Sequence, residues 1–487
     1  MAKYLMVQGT ASHVGKSTLV TAFCKIFADR GIKVAPFKAQ NMSLNSWVTK
    51  DGFEIGIAQA IQAKAAGIEP EVDMNPVLLK PKGDMLAQVV VLGKPYADRR
   101  AGEYYKDIHE IIEIVKTALD RLSRKFDLII IEGAGGTAEI NLYDRDIVNM
   151  RVAKLVKAPV ILVGDIERGG VFASLYGSLA LLRRDERKLV KGFIINKFRG
   201  DIKILEPGLR KLERLTGVKV LGVIPYSNID IPSEDSVSLG EKKRRRSPIE
   251  IAVIKLPRIS NFTDFEPLEK EVSVRYVDLN EDLGNPDAII IPGTKNTIAD
   301  LQALREAKMD EQILSLAGKI PIIGICGGYQ ILGEVIIDES IEGDKKTMIR
   351  GLGLLPAITK FERYEKQTRQ VRKKIRGHGP ILGRIKGRYI RGYEIHMGVT
   401  ETQPSRHIFG SDGCIDDSGL IFGTYLHGLF ENDHLRLALL QYLKERKGCE
   451  IDLYRYRDKA DPFKALADLV MRSVDMNEIF KIAGVNA

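Results

Sequence analysis

The chain has 487 residues, of which 44% are hydrophobic and 28% charged, and its formal net charge is +10. Roughly two to four domains are expected at this length, and the composition is that of an ordinary globular protein. No apolar stretch reaches the ~18 residues of a membrane span, and the basic residues are dispersed without interleaved aromatic residues. The composition therefore argues against a membrane protein and against a nucleic-acid-binding protein.

The cysteines and the first residues of the chain indicate a cytoplasmic protein. The cysteines, at positions 24, 326, 414 and 449, have neither metal-ligand nor disulfide-framework spacing, which is typical of a reducing compartment. The first predicted strand, Tyr4 to Val7, leaves no room for a cleaved signal. The positive charge has two interpretations: a solvated surface, or a field that steers a substrate with several carboxylates or phosphates.

Short β-branched runs alternate with helical stretches in both halves of the chain. These runs are Leu5–Val7, Leu128–Ile131, Val160–Val163, Gly192–Ile195, Ile249–Ile254, Ala288–Ile291 and Ile320–Ile325. The alternation predicts βαβ units and mostly parallel sheets. A basic run closed by Pro248 is typical of an exposed linker, with a nucleic-acid or localisation patch as the alternative. We expect domains at 1–238 and 250–445, a linker at 239–249 and a helical tail of unknown purpose at 446–487.

The segment Gly9–Thr18 has the composition of a phosphate-binding loop. It lies between the first predicted strand and a predicted helix, Leu19 to Ala28. Small residues let the backbone close around phosphate oxygens, and the helix N-terminus supplies N–H donors. Lys16 is predicted to reach the terminal phosphates of a nucleotide and the Ser17 hydroxyl to ligate Mg²⁺. The first glycine lies one position too early for the standard motif G-x-x-x-x-G-K-[ST], and Thr10 takes its place.

Polar residues end three of the later strands in the first half. Glu132 follows Leu128–Ile131, at the position where a second Mg²⁺ ligand is expected; a capping carboxylate is the alternative. Asp165 repeats this pattern after the next strand. Asn196 ends another strand, in a position from which an Asn commonly contacts a nucleotide base. Together these residues predict a ligand site at the carboxyl edge of the sheet.

Cys326 lies between an apolar run, Ile320–Ile325, and a pair of glycines. A strand that turns sharply into a helix in this way predicts a nucleophile elbow, with a buried structural thiol as the alternative. His427 is predicted to act as the general base. The N–H of Gly327 and one from the turn at Gly293 are predicted to form the oxyanion hole.

Together the motifs resemble the cobyric acid synthase family, glutamine-dependent amidotransferases of cobalamin biosynthesis. The matching segments are Gly9–Ser17, Pro36–Ser43, Met74–Pro81, Glu132–Gly135, Ala138–Asp146, Asp165–Gly170, Pro292–Thr297, Ile323–Gln330, Gly392–Gly398 and His427. The resemblance implies an α/β protein with an N-terminal P-loop domain of parallel sheet, similar to dethiobiotin synthetase. It further implies a C-terminal α/β domain of the class I, triad-type glutamine amidotransferases.

The resemblance also implies a reaction that uses ATP, Mg²⁺ and L-glutamine as the ammonia donor. In that family, ATP activates the b, d, e and g carboxylates of adenosylcobyrinic acid a,c-diamide as acyl phosphates, which ammonia converts to amides. The residues implied to bind ATP are Thr10, Gly15, Lys16, Ser17, Thr18 and Asn196. The residues implied to bind the corrinoid polycarboxylate are Lys38, Gln40, Asn41 and Ser43. No nucleic-acid or membrane partner is expected, and the oligomeric state stays open.

The sequence departs from the triad-type pattern after the catalytic histidine. A Glu usually follows that histidine by two residues and orients its imidazole, but Leu429 stands there in this chain. The resembled family also lacks this Glu, so we expect a Cys–His dyad. His396 is either another residue near the glutamine or a structural histidine. Ile57 and Ala87 stand where Arg and Ser are expected.

Two other functions are weighed against this one. Cobyrinic acid a,c-diamide synthase has the same chemistry at other carboxylates, but Gln40–Ser43 and Asn75–Pro81 favour cobyric acid synthase. A MinD- or ParA-like ATPase switch would have no use for a Cys elbow with a partner histidine.

Overall fold

The structure is a computed structural model that describes residues 2–83, 85–100, 103, 108–229, 231–232, 245–343, 345–450 and 461–486. We call residues 2–232 the N-terminal domain and residues 245–450 the C-terminal domain. Of the expected linker at 239–249, residues 239–244 lie outside the described residues. Residues 245–249 form no helix or strand. None of the described helices is long and apolar enough to cross a membrane.

A parallel sheet forms the centre of the N-terminal domain. Its strands, in spatial order, are Lys219–Pro225, Val190–Phe198, Val160–Asp165, Lys3–Gly9, Leu128–Glu132 and Val34–Phe37. Its helices are Lys16–Asp29, Ile57–Ala65, Ile108–Ser123, Met150–Val156, Val171–Leu181, Arg184–Arg187 and Ile202–Thr216. Two apolar clusters bury the two faces of this sheet, which explains why its strands are continuous hydrophobic runs. Val7 lies beside Glu132 and Asp165 beside Asn196, so the polar strand ends share one edge.

The segment that follows the strand Val34–Phe37 forms a second, smaller layer in the N-terminal domain. It contains a sheet of Gln40–Met42, Val77–Gly83, Leu86–Val91 and Lys94–Arg100, and a hairpin of Ser46–Val48 with Glu54–Gly56. A short 3₁₀ turn, Val72–Met74, precedes the second of these strands. This layer packs against the C-terminal domain: the Trp47 ring lies 4.8 Å from that of Tyr393, and Gln88 Nε2 donates to the Tyr364 hydroxyl at 3.0 Å.

The C-terminal domain contains a second sheet, which is parallel except at its last strand. In spatial order its strands are Ser273–Asp278, Glu250–Lys255, Ala288–Ile291, Ile322–Ile325, Ile421–Thr424 and Cys414–Ile415. Smaller sheets flank it, formed by Ile259–Ser260 with Gly293–Thr294, by Lys346–Arg350, Val335–Glu339, Ala357–Phe361 and Val399–Thr402, and by Gln367–Lys374, Tyr389–His396 and Leu426–His427. Its helices are Glu266–Glu269, Thr297–Glu306, Met309–Leu316, Gly327–Leu332, Gly379–Leu382 and Asp433–Lys447.

Two helices follow the C-terminal domain, and we call them the tail helices. They span Pro462–Ser473 and Met476–Ala483. They pack on the N-terminal domain, where the rings of Phe27 and Phe480 meet edge to face at 5.1 Å. The chain therefore returns to its first domain after completing its second.

Candidate active site

Cys326 occupies a strained turn between the strand Ile322–Ile325 and the helix Gly327–Leu332. Its φ of 53° and ψ of −109° are rare for a residue with a side chain. The turn is tight because the backbone of Gly328 lies against the carbonyl of Ile291, where a side chain would clash. The thiol is almost fully buried, at 8% exposure. The backbone at Cys326 has the strand–turn–helix geometry that the sequence predicts for a nucleophile elbow.

His427 lies beside this elbow and is held by a carboxylate. Its Nδ1 is 2.7 Å from Oδ2 of Asp264, and Oδ1 of Asp264 accepts a hydrogen bond from the Gly428 N–H at 2.8 Å. The Tyr393 ring stacks on the imidazole with a centroid distance of 5.4 Å. Nε2 is buried and has no hydrogen-bond partner among the residues that the structure describes.

The electrostatic setting of His427 favours its protonated form. Burial by itself lowers the pKa of the imidazole, but the Asp264 carboxylate and the neighbouring Cys326 raise it to about 10. The expected Cys–His dyad is therefore incomplete: the structure adds Asp264 as a third member. Asp264 was not predicted because it does not lie just after His427 in the chain, but in the 3₁₀ turn Phe262–Phe265 far upstream.

The two glycines predicted for the oxyanion hole meet at the elbow. A Cβ added to Gly293 would lie 3.3 Å from Cε1 of His427, and one added to Gly327 would lie 3.0 Å from the Thr294 nitrogen. Side chains at these positions would therefore crowd His427 and the Thr294 backbone. His396 also lines this cavity; its Nδ1 lies 2.7 Å from the Gly398 carbonyl and its ring stacks on Tyr425 at 3.7 Å.

Lysines from both domains line the cavity at Cys326, and this cluster was not predicted from the sequence. They are Lys80, Lys82, Lys295 and Lys366. Lys80 donates to Oε1 of Glu54 at 2.7 Å, and Lys366 binds the other oxygen of this buried carboxylate. Lys295 donates to the amide oxygen of Gln88 at 2.8 Å and forms no ion pair with a described residue.

Burial and the proximity of like charges shift the pKa values of the groups in this cavity. Desolvation lowers the pKa of Lys295 well below its usual value and lowers that of Lys366 to about 8. Glu342 also lines the cavity, with one oxygen 3.1 Å from the Ile298 nitrogen, and burial raises the pKa of its carboxyl to about 7. The cavity thus places lysine side chains and a carboxyl close together where burial disfavours their charged forms, so groups of opposite charge on a ligand would favour those forms.

A second, larger cleft of about 1170 Å³ opens along the carboxyl edge of the N-terminal sheet. Of the residues predicted for this site, those that line the cleft are Gly15, Lys16, Ser17, Thr18, Lys38, Asn41, Ser43, Glu132 and Asn196. Thr10 and Gln40 do not line it: the Thr10 N–H binds the Val163 carbonyl at 2.9 Å, and Gln40 pairs with Val77 in the small sheet.

The phosphate loop has the conformation that its glycines predict. Gly15 has a φ of 101°, in the region that favours glycine, and Asn196 Nδ2 donates to the Val14 carbonyl at 2.9 Å. Lys16 Nζ donates to the carbonyls of Ala11 and Gly135 at 2.8 and 2.9 Å, which holds the ammonium over the loop. Asn196 thus supports the loop backbone itself.

The residues predicted to hold Mg²⁺ fit that ion. Oγ of Ser17 and Oε1 of Glu132 lie 2.8 Å apart, close to the separation of two adjacent oxygen ligands at about 2.1 Å from an octahedral Mg²⁺. Lys38 Nζ also binds Oε1 of Glu132, at 2.8 Å, and Gln62 Nε2 binds the other oxygen at 2.5 Å. Gln62 was not predicted from the sequence.

The two sites share a thin wall made from both domains. Asn261 lines the cavity at Cys326, whereas its neighbour Phe262 lines the large cleft. Oδ1 of Asn261 accepts from the Ser46 N–H at 2.9 Å, and the Phe262 N–H donates to Oδ1 of Asn45 at 3.1 Å. Asn261 has a φ of 51°, a strained value that lets consecutive side chains face the two sites.

Known proteins resemble the whole chain. Residues 5–238 match the CobQ/CobB/MinD/ParA nucleotide binding domain, and residues 250–435 match the CobB/CobQ-like glutamine amidotransferase domain. Probable cobyric acid synthases from Methanosarcina mazei and Methanocella arvoryzae are 62% and 57% identical over 485 and 484 residues, which cover 99% of each chain. One from Methanococcoides burtonii is 61% identical over 99% of this chain and 97% of its own. The chain belongs to the cobyric acid synthase family.

Membership of the cobyric acid synthase family confirms three of the predictions that rested on the resemblance: the family, the fold class and the class of enzyme. The chain is an enzyme, a glutamine-dependent amidotransferase, with an N-terminal nucleotide-binding α/β domain and a C-terminal glutamine amidotransferase domain. The tail helices lie outside both matched ranges, yet they are present in the length shared with these cobyric acid synthases.

Proposed function

We propose that this enzyme converts adenosylcobyrinic acid a,c-diamide to adenosylcobyric acid by amidating its b, d, e and g carboxylates with ammonia from glutamine, at the expense of ATP. The observation that carries this proposal is the pairing of a Cys–His–Asp site with a phosphate-loop cleft across one shared wall. A ligase needs both sites close together, because ammonia that escapes into neutral water becomes ammonium, which is not a nucleophile.

In the glutaminase half, the Cys326 thiolate attacks the side-chain amide carbon of glutamine. The N–H groups near Gly293 and Gly327 stabilise the oxyanion that forms. His427 gives a proton to the departing ammonia and then accepts one from the water that hydrolyses the thioester to glutamate. Asp264 holds the imidazole with Nε2 toward the sulfur, as its hydrogen bond to Nδ1 supports.

The lysine cluster and Glu342 recognise the α-carboxylate and the α-ammonium group of glutamine. The α-carboxylate binds Lys295 and Lys366, and the α-ammonium binds the Glu342 carboxylate. This assignment is supported by the electrostatics of the cavity: a ligand carboxylate would favour the ammonium form of Lys295 and a ligand ammonium the carboxylate form of Glu342, both of which burial disfavours. Lys80 and Lys82 come from the N-terminal domain, so glutamine binds at the junction of the domains.

In the synthetase half, a corrinoid carboxylate oxygen attacks the γ-phosphorus of ATP and displaces ADP. Ammonia then attacks the acyl phosphate, and inorganic phosphate leaves. Lys16 and the loop N–H groups stabilise the charge on the transferred phosphoryl group. Mg²⁺ held by Ser17 and Glu132 would neutralise further phosphate charge. Lys38, Asn41 and Ser43 line the cleft and bind the reacting carboxylate, whereas Gln40 pairs with Val77 in the small sheet beside them.

The experiment measures glutamate release, ATP hydrolysis and amide formation with Mg-ATP and glutamine, with and without adenosylcobyrinic acid a,c-diamide. We expect the corrinoid to raise both glutamate release and ATP hydrolysis. Cys326→Ala should abolish glutamate release, while ammonium salts still support amidation. If the corrinoid changes neither rate, the proposed substrate is wrong, and cobyrinic acid should be tested in its place.

A further inference from the structure

The tail helices are built into the core of the N-terminal domain. Leu466, Val470 and Phe480 belong to the same apolar cluster as Phe23 and Phe27 of the helix that follows the phosphate loop. The backbone is joined as well: the Asp475 N–H donates to the Leu221 carbonyl at 2.7 Å, and Val474 forms a bridge with Gly222. The backbone at Ser473 and Val474 lies so close to Gly222 that a side chain there would clash. The tail is therefore an integral part of this domain.

Two leucines of the first tail helix reach the large cleft. Leu466 and Leu469 line it together with Ile224, Tyr226 and Ile231. Leu469 is half-buried and lines the cleft. This end of the cleft is thus an apolar slot, in contrast to the charged centre around Lys16 and Glu132.

The two ends of the cleft differ in their distance from the glutaminase site. Asn45 and Phe262 line the end that adjoins the shared wall. The acyl phosphate must form at that end, since ammonia arrives there. With the phosphates on the loop at the centre, the nucleoside extends to the opposite end. A purine has two flat apolar faces, whose burial between aliphatic side chains is favourable by the hydrophobic effect.

We propose that Leu466 and Leu469 of the tail form one wall of the slot that binds the adenine base of ATP. The inference rests on the proposed use of ATP, and it assigns a function to a segment that lies outside both matched domain ranges. The tail thus acts as a binding element for the nucleoside, in addition to its packing role.

The test compares Leu469→Ala with Met471→Ala in the full-length enzyme. Met471 lies on the same helix, is 39% exposed and does not line the cleft. The Kd values of Mg-ATP and of Mg-tripolyphosphate, which has no base, are measured by titration calorimetry. We expect Leu469→Ala to weaken ATP binding by about 5- to 20-fold, since it exposes part of the purine face. Tripolyphosphate binding should stay unchanged, and Met471→Ala should leave both values unchanged.

Each outcome has a defined meaning. A second variant, Leu469→Gln, keeps the side-chain volume. It should also weaken the binding of ATP and leave the binding of tripolyphosphate unchanged. If the Leu469 variants bind ATP and tripolyphosphate more weakly by the same factor, Leu469 does not contact the adenine base. An unchanged Kd for ATP in both Leu469 variants would overturn the proposal as well. A wild-type enzyme that binds neither compound contradicts the proposed ATP dependence instead.

Discussion

Asp264 Oδ2 lies 2.7 Å from Nδ1 of His427, although the two residues are separated by 163 positions in the chain. This pair gives the glutaminase site the third member that the sequence did not reveal. It also links the site to the wall, because Asp264 lies in the same 3₁₀ turn as Phe262. His427 is therefore oriented by a segment that contacts the N-terminal domain directly.

Replacing Asp264 by Asn should impair glutamine hydrolysis severely. The amide cannot stabilise an imidazolium and favours the wrong tautomer, so we expect glutamate release to fall by about 10²- to 10⁴-fold. The measurement is steady-state glutamate release with all substrates present. Amidation from ammonium salts serves as the internal control and should change less than about 2-fold. A variant that retains wild-type glutamate release would show that Asp264 has no role in the chemistry.

The pH dependence of glutaminase activity should change in the same variant. Asp264 counteracts burial and raises the pKa of His427 to about 10. Without this carboxylate, burial dominates and the pKa falls, so the imidazolium is lost at lower pH. We expect the alkaline limb of the profile of kcat/KM for glutamine to move to lower pH in Asp264→Asn. The prediction fails if the alkaline limbs of the wild type and of Asp264→Asn coincide.

Fold stability should show a related pH dependence. A His with a raised pKa in the folded state stabilises the protein fully below its unfolded pKa of about 6.5. That contribution is lost as the pH rises through the folded value of about 10. Asp264→Asn should therefore lower Tm more at about pH 6 than at about pH 10.5, by calorimetry. An equal loss at both pH values would indicate that the pair is not charged.

Lys295→Met should weaken the binding of glutamine without lowering the stability of the fold. The substitution removes a half-buried ammonium that has no ion-pair partner among the described residues, so Tm should stay constant or rise. The KM for glutamine should rise by about 10- to 100-fold, with a smaller effect on kcat. Lys360→Met is the control, because this ammonium is paired with Glu401 at 2.8 Å on the surface. An unchanged KM in Lys295→Met would remove Lys295 from the glutamine site.

Asn45→Ala tests the shared wall. The substitution deletes the acceptor for the Phe262 N–H and should loosen the junction between the two sites. We expect less than one amide per glutamate released, because ammonia escapes, while saturating ammonium salts restore amidation. The exposed Asn280 provides the control variant Asn280→Ala. A ratio of one amide per glutamate in Asn45→Ala would show that this hydrogen bond does not help retain ammonia.

The sequence predicts those parts of the sites that are encoded locally. Gly15 and Lys16, or Cys326 and Gly327, are neighbours in a strand–turn–helix unit, so their composition alone specifies the turn. Asp264, Lys366 and Leu469 could not be found in this way. Each reaches its site through packing between segments that are far apart in the chain, and nothing in its immediate neighbours sets it apart from other surface or capping residues.

The packing of the tail helices determines the order in which the two domains can be completed. Synthesis on the ribosome proceeds from the N-terminus, and domains generally fold as they emerge. Here the helices Pro462–Ser473 and Met476–Ala483, which cover part of the first core, are translated only after the glutaminase domain. The nascent N-terminal domain therefore exposes an apolar face until the C-terminal domain and the tail helices have been made.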